Sequence, residues 1–143
     1  MKLKMLSFSG KSFISDDVVS ITLMTTIGEI TILDNHSPLL TSIKPSTLYF
    51  LYIDSSGVEK RDDYAVGKGF VEVSDNEVKI MVDMLVDIDD LDVGVAERAR
   101  NKAIELMEKY RDSTDKLDME KYIEAEDMLL KSIAQLKLSD TLK

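Results

Sequence analysis

Apolar and polar positions alternate along the first part of this chain and recur every third or fourth residue along the last part, so its two ends obey different periods. Val19, Ile21 and Leu23 alternate with Ser20 and Thr22, and Ile30 and Ile32 flank Thr31. A period of two sets one side of an extended segment against a core and leaves the other wet. Leu48, Tyr49, Phe50, Leu51, Tyr52 and Ile53 are apolar or aromatic on both faces, and Asp54, Ser55, Ser56 and Gly57 after them read as a turn. A returning strand is expected next. Val71 and Val73 alternate with Glu72, Ser74 to Glu77 form a polar turn, and Val78, Ile80 and Val82 alternate again. That is the pattern of a hairpin. Strands this short and this closely spaced predict an antiparallel β-sandwich over residues 1–86, because a parallel sheet would need helices between them.

From about Asp87 the composition turns helical: glycine occurs there only at Gly94, proline not at all, and Ala, Glu, Lys, Leu and Arg predominate. Ala96, Ala99, Ala103, Leu106 and Tyr110 fall on one stripe, with small residues at its start that let a neighbour approach closely. Asp87, Asp89, Asp90 and Asp92 crowd the beginning and Lys109 and Arg111 the end, an order that complements the helix dipole. A second helix is expected from Asp118 as N-cap, with Tyr122, Ala125, Leu129, Ile133 and Leu136 as its stripe. The polar link Asp112 to Leu117 would join the two as an antiparallel hairpin with a thin core over residues 87–143.

Composition narrows the functional classes. The chain has 143 residues, 44% hydrophobic and 31% charged, enough for one ordinary core with a small appendage. It has no cysteine, which excludes disulfides, thiolate metal sites and a cysteine nucleophile. A net charge of −9 disfavours nucleic acid as a partner, since binders present basic patches to phosphate. No window approaches the ~20 apolar residues of a membrane span, and the opening MKLKMLSFSG lacks a signal-peptide run. A chain soluble by itself is expected, one that other proteins are free to hold at a membrane.

Candidate chemistry is sparse. His36, the single histidine, has Asp34 and Ser37 beside it, but triad members are brought together by a fold rather than by adjacency, and this stretch reads as a turn. Gly67, Lys68 and Gly69 lack the spacing of a P-loop and lead into a strand rather than a helix. The aspartates at 87, 89, 90 and 92 match no EF-hand loop. Arg98, Arg100, Lys102, Lys109 and Arg111 read as a solvated helix face, with an acidic protein partner as the functional rival. No catalytic residue, metal set or cofactor is expected.

The segment Gly28 to Pro45, GEITILDNHSPLLTSIKP, holds that histidine and both prolines. It is similar to the G-E-(I/L)-G-I-(L/Y)-P-G-H-A-P-L-L run of the epsilon subunit of bacterial F-type ATP synthase, called delta in mitochondria. Ala65 to Val73, AVGKGFVEV, resembles that family's strand with paired glycines, and Lys131 to Leu136, KSIAQL, resembles its closing helical repeat. The resemblance covers nearly the whole chain. Thr31, Asp34, Asn35 and Lys68 depart from it, so the turns are expected to differ locally.

The resemblance implies a non-catalytic subunit of the rotor's central stalk in a proton-translocating ATP synthase. Its sandwich would bind the gamma subunit and the ring of c subunits, with Glu29 facing the ring's polar loops and His36 and Thr41 near the contact with gamma and the ring. Its hairpin would block rotation in the hydrolysis direction when extended and permit it when folded. Arg98, Arg100, Lys102, Lys109 and Arg111 would then meet acidic loops of the beta subunits in the alpha/beta hexamer. Some relatives bind ATP through (I/L)-D-x-x-R-A, but here the run is Leu91 to Ala96 with Val95 at the arginine position, and Gln135 stands where a second arginine would. Asp92, Lys102 and Lys131 are left as a degenerate set, which implies weak or no ATP binding. The implied place is the cytoplasmic face of a bacterial inner membrane, peripheral and held through the complex. A free-standing sandwich module with a helical tail is the rival reading, and an enzyme a distant third.

Overall fold

The computed structural model describes residues 1–141; Leu142 and Lys143, the last two of the expected helical half, lie outside the described residues. Ten strands come first: β1 (Lys2–Ser7), β2 (Ser12–Ser15), β3 (Val18–Thr25), β4 (Gly28–Leu33), β5 (Leu39–Ile43), β6 (Ser46–Ile53), β7 (Glu59–Val66), β8 (Gly69–Ser74), β9 (Glu77–Val82) and β10 (Leu85–Asp87). Two helices follow, α1 (Val93–Tyr110) and α2 (Lys116–Asp140).

The strands run in the order β10-β7-β6-β3-β5-β8-β9-β1-β2, with β4 also on β3. One residue pair, Thr25 with Ile43, joins β3 to β5, and there the sheet folds over on itself into a sandwich. The core lies between the halves: Leu3 and Met5, Ile21 and Leu23, Leu48 and Phe50, Val71 and Val73, Ile80 and Val82 are all buried. Phe50 sits within ring-stacking distance of Phe13 (5.1 Å), Tyr52 (5.8 Å) and Tyr64 (6.0 Å), so one aromatic cluster ties β2, β6 and β7 together.

The sandwich is antiparallel except at one ladder. β1 runs parallel to β9, from Lys2 opposite Glu77 to Ser7 opposite Val82. Alternation along a strand reports which face is buried and not which way a distant partner runs, so this pairing departs from the all-antiparallel expectation. The hairpin expected over Val71 to Val82 is present as β8 and β9, and the turn at Asp54 to Gly57 connects β6 to β7.

The glycines of the GKG run are there for space. A Cβ on Gly69 would lie 1.8 Å from the Met81 carbonyl oxygen, and one on Gly67 would lie 1.9 Å from Asp83 Oδ1. The two flank the step where the chain leaves β7 for β8 on the other half of the sheet.

Four expectations need correction. Ser20 and Thr22, expected to be wet, are buried at 8% and 5% exposure, on a strand held between β4 and β6. Helix α1 starts at Val93 rather than near Asp87, because residues 85–87 are spent on β10. Of the four aspartates only Asp92 serves that helix, accepting the Val95 N–H as its N-cap; Asp87 and Asp90 bind Lys11 instead. Helix α2 is capped by Asp115, whose carboxylate accepts the Leu117 N–H, three residues before the expected Asp118.

The helices form the expected hairpin, with Ala96, Ala103 and Ala125 buried. The hairpin lies on the sandwich, α2 against β6 and β7. Ala134 and Leu138 bury themselves on Ala65 of β7, in a satellite cluster with Met84, Val86, Ile88 and Leu91. At 100° per residue these two lie roughly half a turn round α2 from the expected stripe, so the helix has two working faces.

Tyr64 yields a test of the core. Its hydroxyl is pushed up to about 12 by burial and then by Asp87, Asp62 and Asp89. An unfolded tyrosine ionises near 10, so between about pH 10 and 12 the unfolded chain releases a proton that the folded one keeps, and stability falls as pH rises. Urea unfolding is expected to show that fall in the wild type and a smaller one in Tyr64→Phe.

Candidate functional site

The turn from β4 to β5 carries Asp34, Asn35, His36, Ser37 and Pro38, and moves the chain from one half of the sheet to the other. Lys44 and Pro45 do the same between β5 and β6. The prolines therefore sit at crossings, where no ladder N–H is demanded of them. Asn35 adopts φ 61°, a left-handed conformation that asparagine tolerates, and its N–H donates to the Asn76 side chain at 2.8 Å. The turn is thereby pinned to the β8–β9 turn.

His36 is half-buried. Its main-chain N–H donates to the Leu33 carbonyl at 3.2 Å, and Nδ1 lies 2.7 Å from the Ser37 carbonyl oxygen, which puts the ring proton on Nδ1. The neighbouring Asp34 faces elsewhere, accepting from the Met1 amino group at 2.7 Å. That amino group, by hydrogen bond and charge, holds the Asp34 carboxyl below its ordinary range. Among the described residues no carboxylate is placed to orient His36 as a base.

Glu29 opens β4 opposite Met24, exposed and without an ion pair among the described residues. About 13 Å of strand separates it from Leu33, so Glu29 and His36 mark opposite ends of β4. Thr41 lies mid-strand on β5 opposite Val71, half-buried. The three do not converge. Glu29 and Leu33 share the outer face of β4, Thr41 shares the inner side of β5 with buried Val71, and Leu40 faces out of the other half of the sheet; Ile27, Leu33 and Leu40 are 81%, 57% and 69% exposed. Pro38, Leu39, Leu40, Glu72, Val73 and Ser74 line a shallow depression of about 350 Å³ beside them. The registers Ser42–Phe70, Phe70–Met81 and Met81–Leu6 continue the apolar surface across that half of the sheet. Alternation with buried Val71 and Val73 puts Phe70 outside, so this part of the surface was open to sequence reasoning, which passed over it.

The basic residues of α1 do not form one face. Arg98, Lys102 and Lys109 lie along one flank of the buried alanine stripe and Arg100 and Arg111 along the other, because residues two apart on a helix point about 200° apart. None of the five makes an ion pair among the described residues. Lys109 and Lys121 approach the Tyr110 ring at 5.2 and 5.3 Å.

Nor does the structure assemble the three residues left from a nucleotide motif. Asp92 is occupied in capping α1, Lys102 stands exposed about 15 Å further along that helix, and Lys131 binds Asp83 and Asp127 at 3.0 Å each. Val95 is half exposed, and its side chain has no polar atom to offer a nucleotide. Among the described residues no group of three or more His, Cys, Asp or Glu is placed to hold a metal ion.

The family profile described as ATP synthase, Delta/Epsilon chain, beta-sandwich domain matches residues 1–88. The ATP synthase epsilon chain of Ligilactobacillus salivarius is 34% identical, over 80% of this chain and 78% of that one. The chain belongs to the ATP synthase delta/epsilon family. The epsilon chain of Chromohalobacter salexigens is likewise 34% identical, over 81% of this chain and 75% of its own. Among solved structures, a chain of the Euglena gracilis mitochondrial ATP synthase, in an assembly of OSCP, F1 and c-ring, has a TM-score of 0.73 at 23% identity, covering 99% of this chain and 80% of that one. A chain from the Tetrahymena thermophila mitochondrial central stalk and c-ring has a TM-score of 0.52 at 20% identity, covering 81% and 74%. At these identities the likeness speaks for the fold.

For this delta/epsilon chain the geometry is that of an exposed apolar surface on the sandwich plus a docked hairpin. With Asp92 and Lys131 already engaged and an aliphatic side chain at 95, titration calorimetry with ATP is expected to give no binding heat at micromolar concentration. A saturating micromolar isotherm would contradict the site as described.

Proposed function

We propose that this chain is a non-catalytic central-stalk subunit of a proton-translocating F-type ATP synthase, in which residues 1–86 bind the rotor and residues 87–143 restrain ATP hydrolysis. The observation that carries the proposal is the division of labour in the packing. The sandwich has a large core of its own and an exposed apolar surface, whereas the hairpin is attached through a small satellite cluster. Complete burial of a leucine is worth roughly 1.5–3 kcal/mol, and here one leucine and two alanines make up the fully buried part of the seam. An element held by so little has a second position within reach.

On this reading Ile27, Leu33 and Leu40 supply burial against gamma and the c ring, and Glu29, His36 and Thr41 supply polar contacts at that surface. A carboxylate at the rim of such a contact adds at most about 1 kcal/mol and acts mainly on orientation. The two basic flanks of α1 become available to acidic loops of the alpha/beta hexamer when the hairpin leaves the sandwich. No described helix is long and apolar enough to cross a membrane. The subunit is proposed to reach the cytoplasmic face of a bacterial inner membrane through its partners.

Two experiments test the halves separately. A chain ending at residue 86 is expected to co-purify with gamma and the c ring and to raise ATP hydrolysis by the assembled complex; an unchanged rate removes the restraining role. Leu40→Asp, placed on the exposed surface away from the core, is expected to weaken assembly about tenfold or more while leaving thermal unfolding of the isolated chain unchanged. Assembly at wild-type strength would show that this side of the sandwich is not the contact.

A further inference from the structure

Lys131 stands where α2 meets the sandwich, 3.0 Å from Asp83 Oδ2 and 3.0 Å from Asp127 Oδ2. Asp83 belongs to the connection between β9 and β10, while Asp127 lies one turn earlier on the helix of Lys131 itself. All three side chains are largely covered, at 26%, 19% and 23% exposure. Burial works against the ammonium charge, but the hydrogen bonds to Asp83 and Asp127 outweigh it and raise the Lys131 pKa, so the group is a cation. The other oxygen of Asp83, Oδ1, is buried with no hydrogen-bond partner among the described residues and lies against Gly67, where a methyl group would be 1.9 Å from it and 3.1 Å from Lys131 Cε. Gln135, one turn further along α2, donates to Met84 Sδ at 3.4 Å.

We propose that Lys131 is a shared cation that makes the hairpin's attachment reversible: it joins Asp83 when α2 is seated on the sandwich and passes wholly to Asp127 when α2 lifts away. An ion pair formed solely across the seam would be lost entirely whenever the seam opened. Here the cation takes a partner with it, because Asp127 and Lys131 stand in the i, i+4 relation and stay neighbours wherever the helix goes. The carboxylate left behind is no worse placed, since opening hydrates the Asp83 oxygen that has no partner in the seated state. Gly67 leaves room for Asp83 to face the helix at all. Asp83 therefore favours the seated state and Asp127 competes with it for the same ammonium.

The two carboxylates are thus assigned opposite effects, which a merely structural network would not give them. The chain has no cysteine, so Ala134→Cys places one thiol at the seam, at a position 1% exposed when seated, and its rate of labelling by a thiol reagent reads opening. In the full isolated chain, Asp83→Asn is expected to raise that rate about two- to fivefold and Asp127→Asn to lower it by a similar factor, the range a part-exposed ion pair supports. Val71→Cys, buried in the main core, is the control and should label slowly and equally in every background. The proposal is overturned if both substitutions accelerate labelling at 134, if neither changes it, or if the rate at 71 rises with that at 134. No ATP synthase is present in this assay, so its outcome is independent of whether the hairpin restrains hydrolysis.

Discussion

Position 65 is an alanine on the outer face of β7, and the resting place of the helical hairpin depends on that methyl group. A strand turns alternate residues to opposite sides, so while Tyr64 and Val66 enter the main core, Ala65 faces away from it. Ala134 and Leu138 come down on it from α2, and Met84, Val86, Ile88 and Leu91 close around the contact. A bulky side chain at 65 would lift the helix off the sheet and take Lys131 out of reach of Asp83. The seam is small because its residues are small, and its smallness lets the hairpin be a separate body. In the main core Phe50, Leu3, Met5 and Ile21 bury far more apolar surface per residue.

The exposed apolar residues and the seam occupy different parts of the sandwich. Ile27, Leu33 and Leu40 lie along β4, β5 and their turns, whereas Ala65 and Asp83 belong to the far side of the strand order, near β10. A partner can therefore hold the sandwich without touching the hairpin. The link between them is short and tethered: Lys11, in the turn between β1 and β2, binds both Asp87 and Asp90, which fixes the end of β10 and the start of the linker to the sandwich. For the hairpin motion proposed above, the pivot falls near Asp92, after Leu91, which is packed in the satellite cluster.

Much of this arrangement is legible in the chain, for reasons that differ from element to element. Val71 to Val82 alternates cleanly because one side of β8 and β9 meets the core and the other meets solvent. Ser20 and Thr22 mislead for the opposite reason: the strand is held between two neighbours, and small hydroxyl groups can be covered there when they find partners, as Thr22 does with Thr31 at 2.9 Å. The stripe of α2 that faces α1 is visible in its large apolar residues, but the face toward the sandwich consists of Ala134, Leu138, Lys131 and Asp127, which no hydrophobic pattern marks. Asp115 and Asp118 are both good caps by composition, and the choice between them is made by where the link lets the helix begin. The segment from Gly28 to Pro45 was read through its rare residues, His36 and the prolines, whereas the exposed apolar area belongs to Ile27, Leu33 and Leu40.

The parallel pairing of β1 with β9 has a consequence for the order in which the protein can be built. Residues 2–7 pair with residues 77–82, so during synthesis the first strand has only β2 beside it until more than half the chain has emerged. Such long-range closure is slow relative to local helix formation, and the waiting strand exposes a hydrogen-bonding edge in the meantime. Once β10 is out, every strand has all its neighbours while the helices are still leaving the ribosome. The sandwich can therefore close while the helices are still emerging, and α2 then docks on a surface already formed. The same sequence of events that makes the fold slow to begin leaves the helical hairpin for the end.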